Sequence, residues 1–148
     1  NIASVLTAID FSDTSVQALR LSKSLSDQLK LNLEIMHVYK LPTQYFPLLS
    51  EEKAIKKAEE VVQEKFSDLQ KRHKEIADVP YTLVRAAGKS TAERIGLQLR
   101  KRKYDLLVLG LKGNNPIPSL SLGSVPSKLY NMDLNVPLWL VYSEAVIK

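Results

Sequence analysis

Three glycines and a serine near the C-terminus have a spacing that could serve phosphate binding. Gly110 and Gly113 are separated by two residues, and Gly123-Ser124 follows after nine more. Glycine lets a backbone approach a ligand closely, and a helix N-terminus offers free N–H groups to an anion. The same glycines could instead end a strand and cap a helix, so the spacing alone leaves both interpretations open.

Strand and helix patterns alternate along the chain and decide where this motif lies. Short apolar runs predict strands at residues 5–9, 33–39, 81–86, 106–109 and 136–141. Helical patterns fill the intervals, and the last of them covers residues 125–132. Since helix-length crossovers join parallel strands, we predict one α/β domain over residues 1–148, a parallel sheet with helices on both faces.

Two of these helices have an apolar face that can be read from the sequence. Ser12 or Asp13 would cap the first helix, and Ser50 precedes the longest one. The predicted apolar positions of the first helix are Ala18, Leu21, Leu25 and Leu29. Those of the longest helix are Ile55, Ala58, Val62, Phe66 and Leu69.

An acidic residue follows the first predicted strand. Asp10 lies at the carboxyl end of that strand, and Gly110 lies at the carboxyl end of the fourth. Open α/β sheets bind ligands beyond the carboxyl ends of their strands, where the strand order reverses. If the two strands are neighbours, a carboxylate suited to ribose hydroxyls faces a glycine loop suited to phosphates, which would form a nucleotide site.

Composition narrows the function classes. The chain has 148 residues, 45% of them hydrophobic and 25% charged, as in an ordinary globular domain, and no Cys, which suits a cytoplasmic location. No apolar run approaches the roughly 20 residues that span a bilayer, so we expect no membrane association. The net charge is +5, but the dense basic cluster at residues 100–103 has no interleaved aromatic residues, and nucleic acid is not favoured as a partner.

Residue types that often perform catalysis are sparse. His37 lies in an apolar strand and His73 on a polar helix, with no Cys and no spaced carboxylates around either. A structural role is therefore favoured for both histidines, and we predict neither catalytic residues nor a protein-built metal site. The Lys and Ser of a P-loop are missing, and no general base is evident, so any ATP hydrolysis should be slow.

The chain resembles the universal stress protein family over essentially its whole length. The matching segments are residues 6–12, 36–38, 92–95, 104–110 and 136–138, together with the glycine motif. The resemblance implies five parallel strands in the order 3-2-1-4-5, a Rossmann-like fold similar to adenine nucleotide alpha hydrolases. It also implies the ATP-binding branch of the family.

The resemblance further implies a set of nucleotide contacts. Asp10 would contact adenosine, Ala8 and Ile9 would line the entrance, and Val38 would pack on adenine. Ribose and phosphates would be held by Gly110, Lys112, Gly113, Gly123, Ser124 and the amide of Val125. The implied cofactor is ATP, with AMP or ADP as alternatives and Mg²⁺ as a candidate ion beside the phosphates.

The favoured function is an ATP- or AMP-binding stress-response module that acts as a sensor or interaction partner. Two alternatives stay open, a dimeric interaction domain of the same fold that binds no nucleotide, and a slow ATPase. Residues 136–142 are apolar on both faces and would lie at a sheet edge, so we predict a homodimer joined through this last strand.

Overall fold

The computed structural model describes residues 2–111 and 123–142 of the chain. Within them lies one parallel sheet of five strands in the order β3-β2-β1-β4-β5. The strands are β1 (Ser4–Ala8), β2 (Asn32–Tyr39), β3 (Tyr81–Arg85), β4 (Leu106–Gly110) and β5 (Leu138–Val141). The α-helices are α1 (Asp13–Leu29), α2 (Glu51–Arg72), α3 (Thr91–Lys101) and α4 (Ser124–Tyr130).

The strand order confirms the expected fold and makes β1 the neighbour of both β2 and β4. Thr7 of β1 is in register with Ile35 of β2 on one side and with Val108 of β4 on the other. The chain order therefore reverses between β1 and β4. Asp10 and Gly110 end up at the same edge of the sheet, as predicted from their positions after the two strands.

Serine caps set the starts of three helices. The side chains of Ser12, Ser50 and Ser90 each accept a hydrogen bond from the backbone N–H three residues on. Ser12 is thus the cap of α1, and Asp13 is its first helical residue. At α3 the side chain of Glu93 also accepts from the Ser90 N–H, which completes a capping box.

Two apolar cores cover the sheet, one on each face. On one face α1 and α2 pack over β1 and β2, with Phe66 and Leu69 fully buried. On the other face α3 and α4 supply Ile95 and Leu129. The α2 stripe is as predicted from Ala58 to Leu69, while Ile55 is half-buried and Ala54 lies in the core in its place.

The predicted apolar face of α1 is wrong at two of its four positions, Leu21 and Leu29, while Leu25 is half-buried. Leu21 is 47% exposed and Leu29 is 61% exposed, whereas Ala18 is buried. The buried side of α1 consists mostly of small residues, namely Thr14, Ser15, Ala18, Leu19, Ser22 and Ser26. At its first turn α1 lies very close to β4, since a Cβ added to Gly110 would lie 2.7 Å from the carbonyl carbon of Thr14. Only small side chains fit between helix and sheet at that point, whereas Leu19, one turn further along, is fully buried.

In the part of the chain that the structure describes, no helix is both long enough and apolar enough to cross a membrane.

Candidate functional site

A cleft of about 270 Å³ opens at the carboxyl ends of β1 and β4. Eight of the ten residues predicted for nucleotide binding line it: Ala8, Ile9, Asp10, Val38, Gly110, Gly123, Ser124 and Val125. The other two, Lys112 and Gly113, lie outside the described residues. The structure therefore brings together every predicted site residue that it describes.

Further residues line the cleft that the sequence reasoning did not assign to it. They are Ser12, Thr14, Ser15, Thr91, Ile95, Leu109, Leu111 and Pro126. The predicted topology could have indicated most of these residues, because a helix that follows a parallel strand begins at the carboxyl edge of the sheet. The first turns of α1, α3 and α4 therefore meet at the cleft and add four hydroxyl groups from α1 and α3 to its wall.

The turn between β1 and α1 holds the carboxylate of Asp10. Its Oδ1 accepts a hydrogen bond from the Ser12 N–H at 2.9 Å, and the Asp10 N–H donates to Ser15 Oγ at 3.3 Å. Burial by itself raises the pKa of Asp10, but the hydrogen bonds from Ser12 and Ser15 outweigh it and bring the pKa below its ordinary value. Asp10 is thus an ionised hydrogen-bond acceptor at neutral pH, and it stays exposed at the cleft.

Gly110 has a packing role that does not depend on any ligand. A Cβ at this position would lie 2.7 Å from the carbonyl carbon of Thr14 and 2.8 Å from the nitrogen of Ser15. Both atoms belong to the backbone of α1, which cannot move aside as a flexible side chain can. The interpretation of Gly110 as a structural glycine is therefore supported, although it also lines the cleft.

Gly123 is the N-cap of α4 and has an extended backbone, with φ −62° and ψ 170°. Its N–H donates to the carbonyl oxygen of Leu111 at 3.2 Å, which ties the start of α4 to the end of β4. The next N–H groups, of Ser124 and Val125, have no intrahelical acceptor at this position of a helix. Pro126, the third helical residue, has no N–H to offer.

His37 lies beside the cleft and not in it. Its Nδ1 is 2.7 Å from the carbonyl oxygen of Ile9, and its ring packs edge-on against Phe11. Burial and the nearby Lys65 lower the pKa of His37 below its ordinary value of 6.5, against the opposing effects of the Ile9 carbonyl and Asp10. His37 is therefore neutral at physiological pH.

The lowered pKa of His37 predicts a loss of stability in mild acid. As the pH falls through about 6.5, His37 takes up a proton in the unfolded chain, whereas in the folded chain it takes up the proton only at a lower pH. The free energy of unfolding should therefore fall as the pH is lowered from about 6.5 through the pKa of the folded state. Urea denaturation over this range should show a steeper fall for the wild type than for His37→Asn. Equal pH dependence in both proteins would contradict the assignment.

Within residues 2–111 and 123–142, no three His, Asp or Glu side chains gather in a way that could hold a metal ion. The cleft combines apolar side chains such as Val38 and Ile95, which can pack on a flat ring, with hydroxyl groups and one carboxylate, which can form hydrogen bonds.

The chain is similar in fold to solved universal stress proteins. UspA from Lactobacillus plantarum aligns with a TM-score of 0.73 and 16% identity, covering 95% of this chain and 98% of that one. A universal stress protein in complex with cAMP aligns with a TM-score of 0.66 and 18% identity, covering 94% and 96%. One from Archaeoglobus fulgidus in complex with dAMP aligns with a TM-score of 0.62 and 17% identity, covering 95% and 98%.

Sequence comparison gives the family directly. No curated protein sequence is significantly similar to the chain. The profile of the universal stress protein family, however, matches residues 2–141, which include all the strands described above and the whole cleft. The chain belongs to the universal stress protein family.

Proposed function

We propose that this protein binds an adenine nucleotide in the cleft between β1 and β4 and acts as a nucleotide-dependent sensor or interaction module. The observation that carries the proposal is the convergence of Asp10, Val38, Gly110 and the start of α4 on one cleft. The complexes of two structural neighbours with cAMP and dAMP support an adenine nucleotide as the ligand.

In this proposal each part of the cleft meets one part of the nucleotide. Val38 packs on adenine, and the ionised carboxylate of Asp10 accepts hydrogen bonds from the ribose hydroxyls. The backbone at Gly110 and at Gly123-Ser124 lies near the phosphates, where Gly113 and the charge of Lys112 are expected to contribute. ATP is the first candidate, and AMP and ADP follow.

Hydrolysis is not the proposed activity. Among the described residues that line the cleft, Asp10 is the single titratable side chain. Its lowered pKa makes it a weak base, poorly suited to deprotonate water for attack on a phosphate. A slow ATPase is therefore less favoured than a protein that binds the nucleotide without hydrolysing it.

Calorimetry tests the binding proposal. Titration of the wild-type protein with ATP, ADP and AMP should show binding of at least one of them with micromolar affinity. No heat for any of the three up to millimolar concentration would overturn the proposal. That outcome would favour an interaction domain that binds no nucleotide. In such a domain a glycine would still be required at position 110, because a Cβ there would meet the backbone of α1.

We also propose that two copies of the chain pair through β5. This strand is at the edge of the sheet, and Trp139 and Tyr142 beside it are 38% and 40% exposed. An exposed apolar edge strand tends to pair with another strand, and a two-fold axis gives a closed dimer. Leu138 and Leu140 pack against the core on the α3 and α4 side, so Trp139 is the better position for a test.

Sedimentation should therefore give a species of twice the monomer mass of 16.7 kDa. Trp139→Lys should shift it to the monomer, because like charges would meet across the two-fold axis. Leu21→Lys, on the exposed side of α1, is the matched control and should stay dimeric. A wild-type protein that sediments as a monomer at micromolar concentration would rule out this dimer.

A further inference from the structure

The turn that carries Asp10 contains a backbone conformation that its sequence does not favour. Phe11 has φ +65°, in the left-handed region that residues other than glycine rarely adopt. A bulky residue stays there only when the surrounding structure holds it. The neighbours of Phe11 should therefore show what holds the turn.

The ring of Phe11 is fixed by aromatic side chains from α2 and β2. Its centroid is 4.8 Å from that of Phe66 and 4.9 Å from that of His37, in edge-to-face arrangements. Phe66 is fully buried and stacks on Tyr81 of β3 with centroids 4.0 Å apart. The Nζ atom of Lys65 lies 5.8 Å from the centre of the Phe11 ring. The ring is thus packed against the buried core between α2 and the sheet.

His37 also holds the backbone on the other side of Asp10. Its Nδ1 is 2.7 Å from the carbonyl oxygen of Ile9. A carbonyl oxygen can only accept, so the neutral ring carries its hydrogen on Nδ1. The N–H of Ile9 donates in turn to the carbonyl oxygen of Met36 at 2.9 Å. Both backbone groups of Ile9 are therefore bound to β2, one through the strand and one through the histidine.

We propose that His37 is a positioning residue of the nucleotide site, which fixes the Ile9 carbonyl and the Phe11 ring on either side of Asp10 and so sets the direction of its carboxylate. Val38 lines the cleft, and adjacent residues of a strand point to opposite faces of the sheet. The side chain of His37 therefore lies on the face opposite to that of Val38 and does not line the cleft. The charged groups that face it are Lys65 from α2 and Asp10 from the turn itself. The proposal rests on the proposed nucleotide binding, but its geometry can be tested without a nucleotide.

Two variants separate the hydrogen bond of His37 from its bulk. In His37→Asn the side-chain amide can occupy the place of Nδ1–H and donate to the Ile9 carbonyl, whereas in His37→Leu nothing can donate. Affinity for AMP should fall about tenfold in His37→Leu, the scale of one lost hydrogen bond, and should be largely retained in His37→Asn. Equal affinity of wild type and His37→Leu would overturn the proposal.

Two NMR readouts need no nucleotide. In the wild type, the ¹⁵N shifts of His37 should show the tautomer with hydrogen on Nδ1, and the opposite tautomer would overturn the proposal even if His37→Leu does not fold. The carboxyl ¹³C titration of Asp10 should give a pKa below its ordinary value in the wild type. The pKa of Asp10 should be higher in His37→Leu than in His37→Asn, two variants that both lack the imidazole charge, and equal pKa values in the two variants would overturn the proposal. If the wild type binds no AMP, the proposed function fails, while these two readouts still decide whether His37 sets the turn.

Discussion

Replacing Gly110 by alanine should destabilise the protein by about 3 kcal/mol, a large effect for one methyl group. The added Cβ would lie 2.7 Å from the carbonyl carbon of Thr14 and 2.9 Å from its oxygen. These atoms form the first turn of α1, so the whole helix would have to move away from β4. Because Ser15 in the same turn contacts the backbone of Asp10, the displacement should also weaken nucleotide binding.

Gly96→Ala is the matched control for this prediction. A Cβ on Gly96 would lie 2.7 Å from Cε of Met132, which is the end of a flexible side chain and can move. Alanine also favours the helical conformation of α3 by about 1 kcal/mol relative to glycine. Urea denaturation should therefore show a change of less than about 1 kcal/mol for Gly96→Ala. If Gly110→Ala is as stable as Gly96→Ala, the close contact between α1 and β4 is not as described.

Asp10→Ala should lower the affinity for adenine nucleotide by about 1–3 kcal/mol, or roughly fivefold to more than a hundredfold. The carboxylate is ionised at neutral pH and exposed at the cleft, so its loss removes a charge-assisted acceptor for the ribose. Calorimetry with the best-bound of ATP, ADP and AMP measures the change. The effect should be larger than that of any exposed acidic residue nearby.

Asp13→Ala provides the comparison for Asp10→Ala. Asp13 is exposed, begins α1 and does not line the cleft. Its removal takes away one negative charge at nearly the same place in the chain and should change the affinity little. Similar losses of affinity in both variants would mean that binding depends on the negative electrostatic potential around the turn and not on the Asp10 carboxylate itself.

The sequence predicted the sheet and the edge of it that carries the site. The alternation of strand and helix patterns indicated parallel strands, and the family resemblance supplied their order. Since all parallel strands end at one edge, Asp10 and Gly110 could be placed at the same edge from their positions, and the implied order 3-2-1-4-5 made their strands neighbours. The hydroxyl groups of Thr14, Ser15 and Thr91 were missed because polar residues at the start of a helix are usually explained by capping.

The prediction of the buried face of α1 failed at Leu21 and Leu29 for a different reason. Leucines at helical spacing predicted the buried side, but hydrophobicity does not report how closely a helix approaches a sheet. At Gly110 the backbones nearly touch, so the small residues Thr14 and Ser15 are buried there, and Leu21 and Leu29 are left exposed further along the helix. The left-handed turn at Phe11 was equally hidden, since phenylalanine carries no local signal for it and the cause lies in contacts with β2 and α2.

We propose that an adenine nucleotide binds in the cleft at the point where the strand order reverses between β1 and β4. Amide chemical-shift mapping of the labelled wild-type protein with AMP and with ATP tests this proposal. The largest shifts should fall on Ala8, Asp10, Val38, Gly110 and Val125. The amide shifts of the basic cluster at residues 100–103, which lines a separate groove, should stay unchanged. Shifts confined to that groove, or no shifts up to millimolar nucleotide, would contradict the claim.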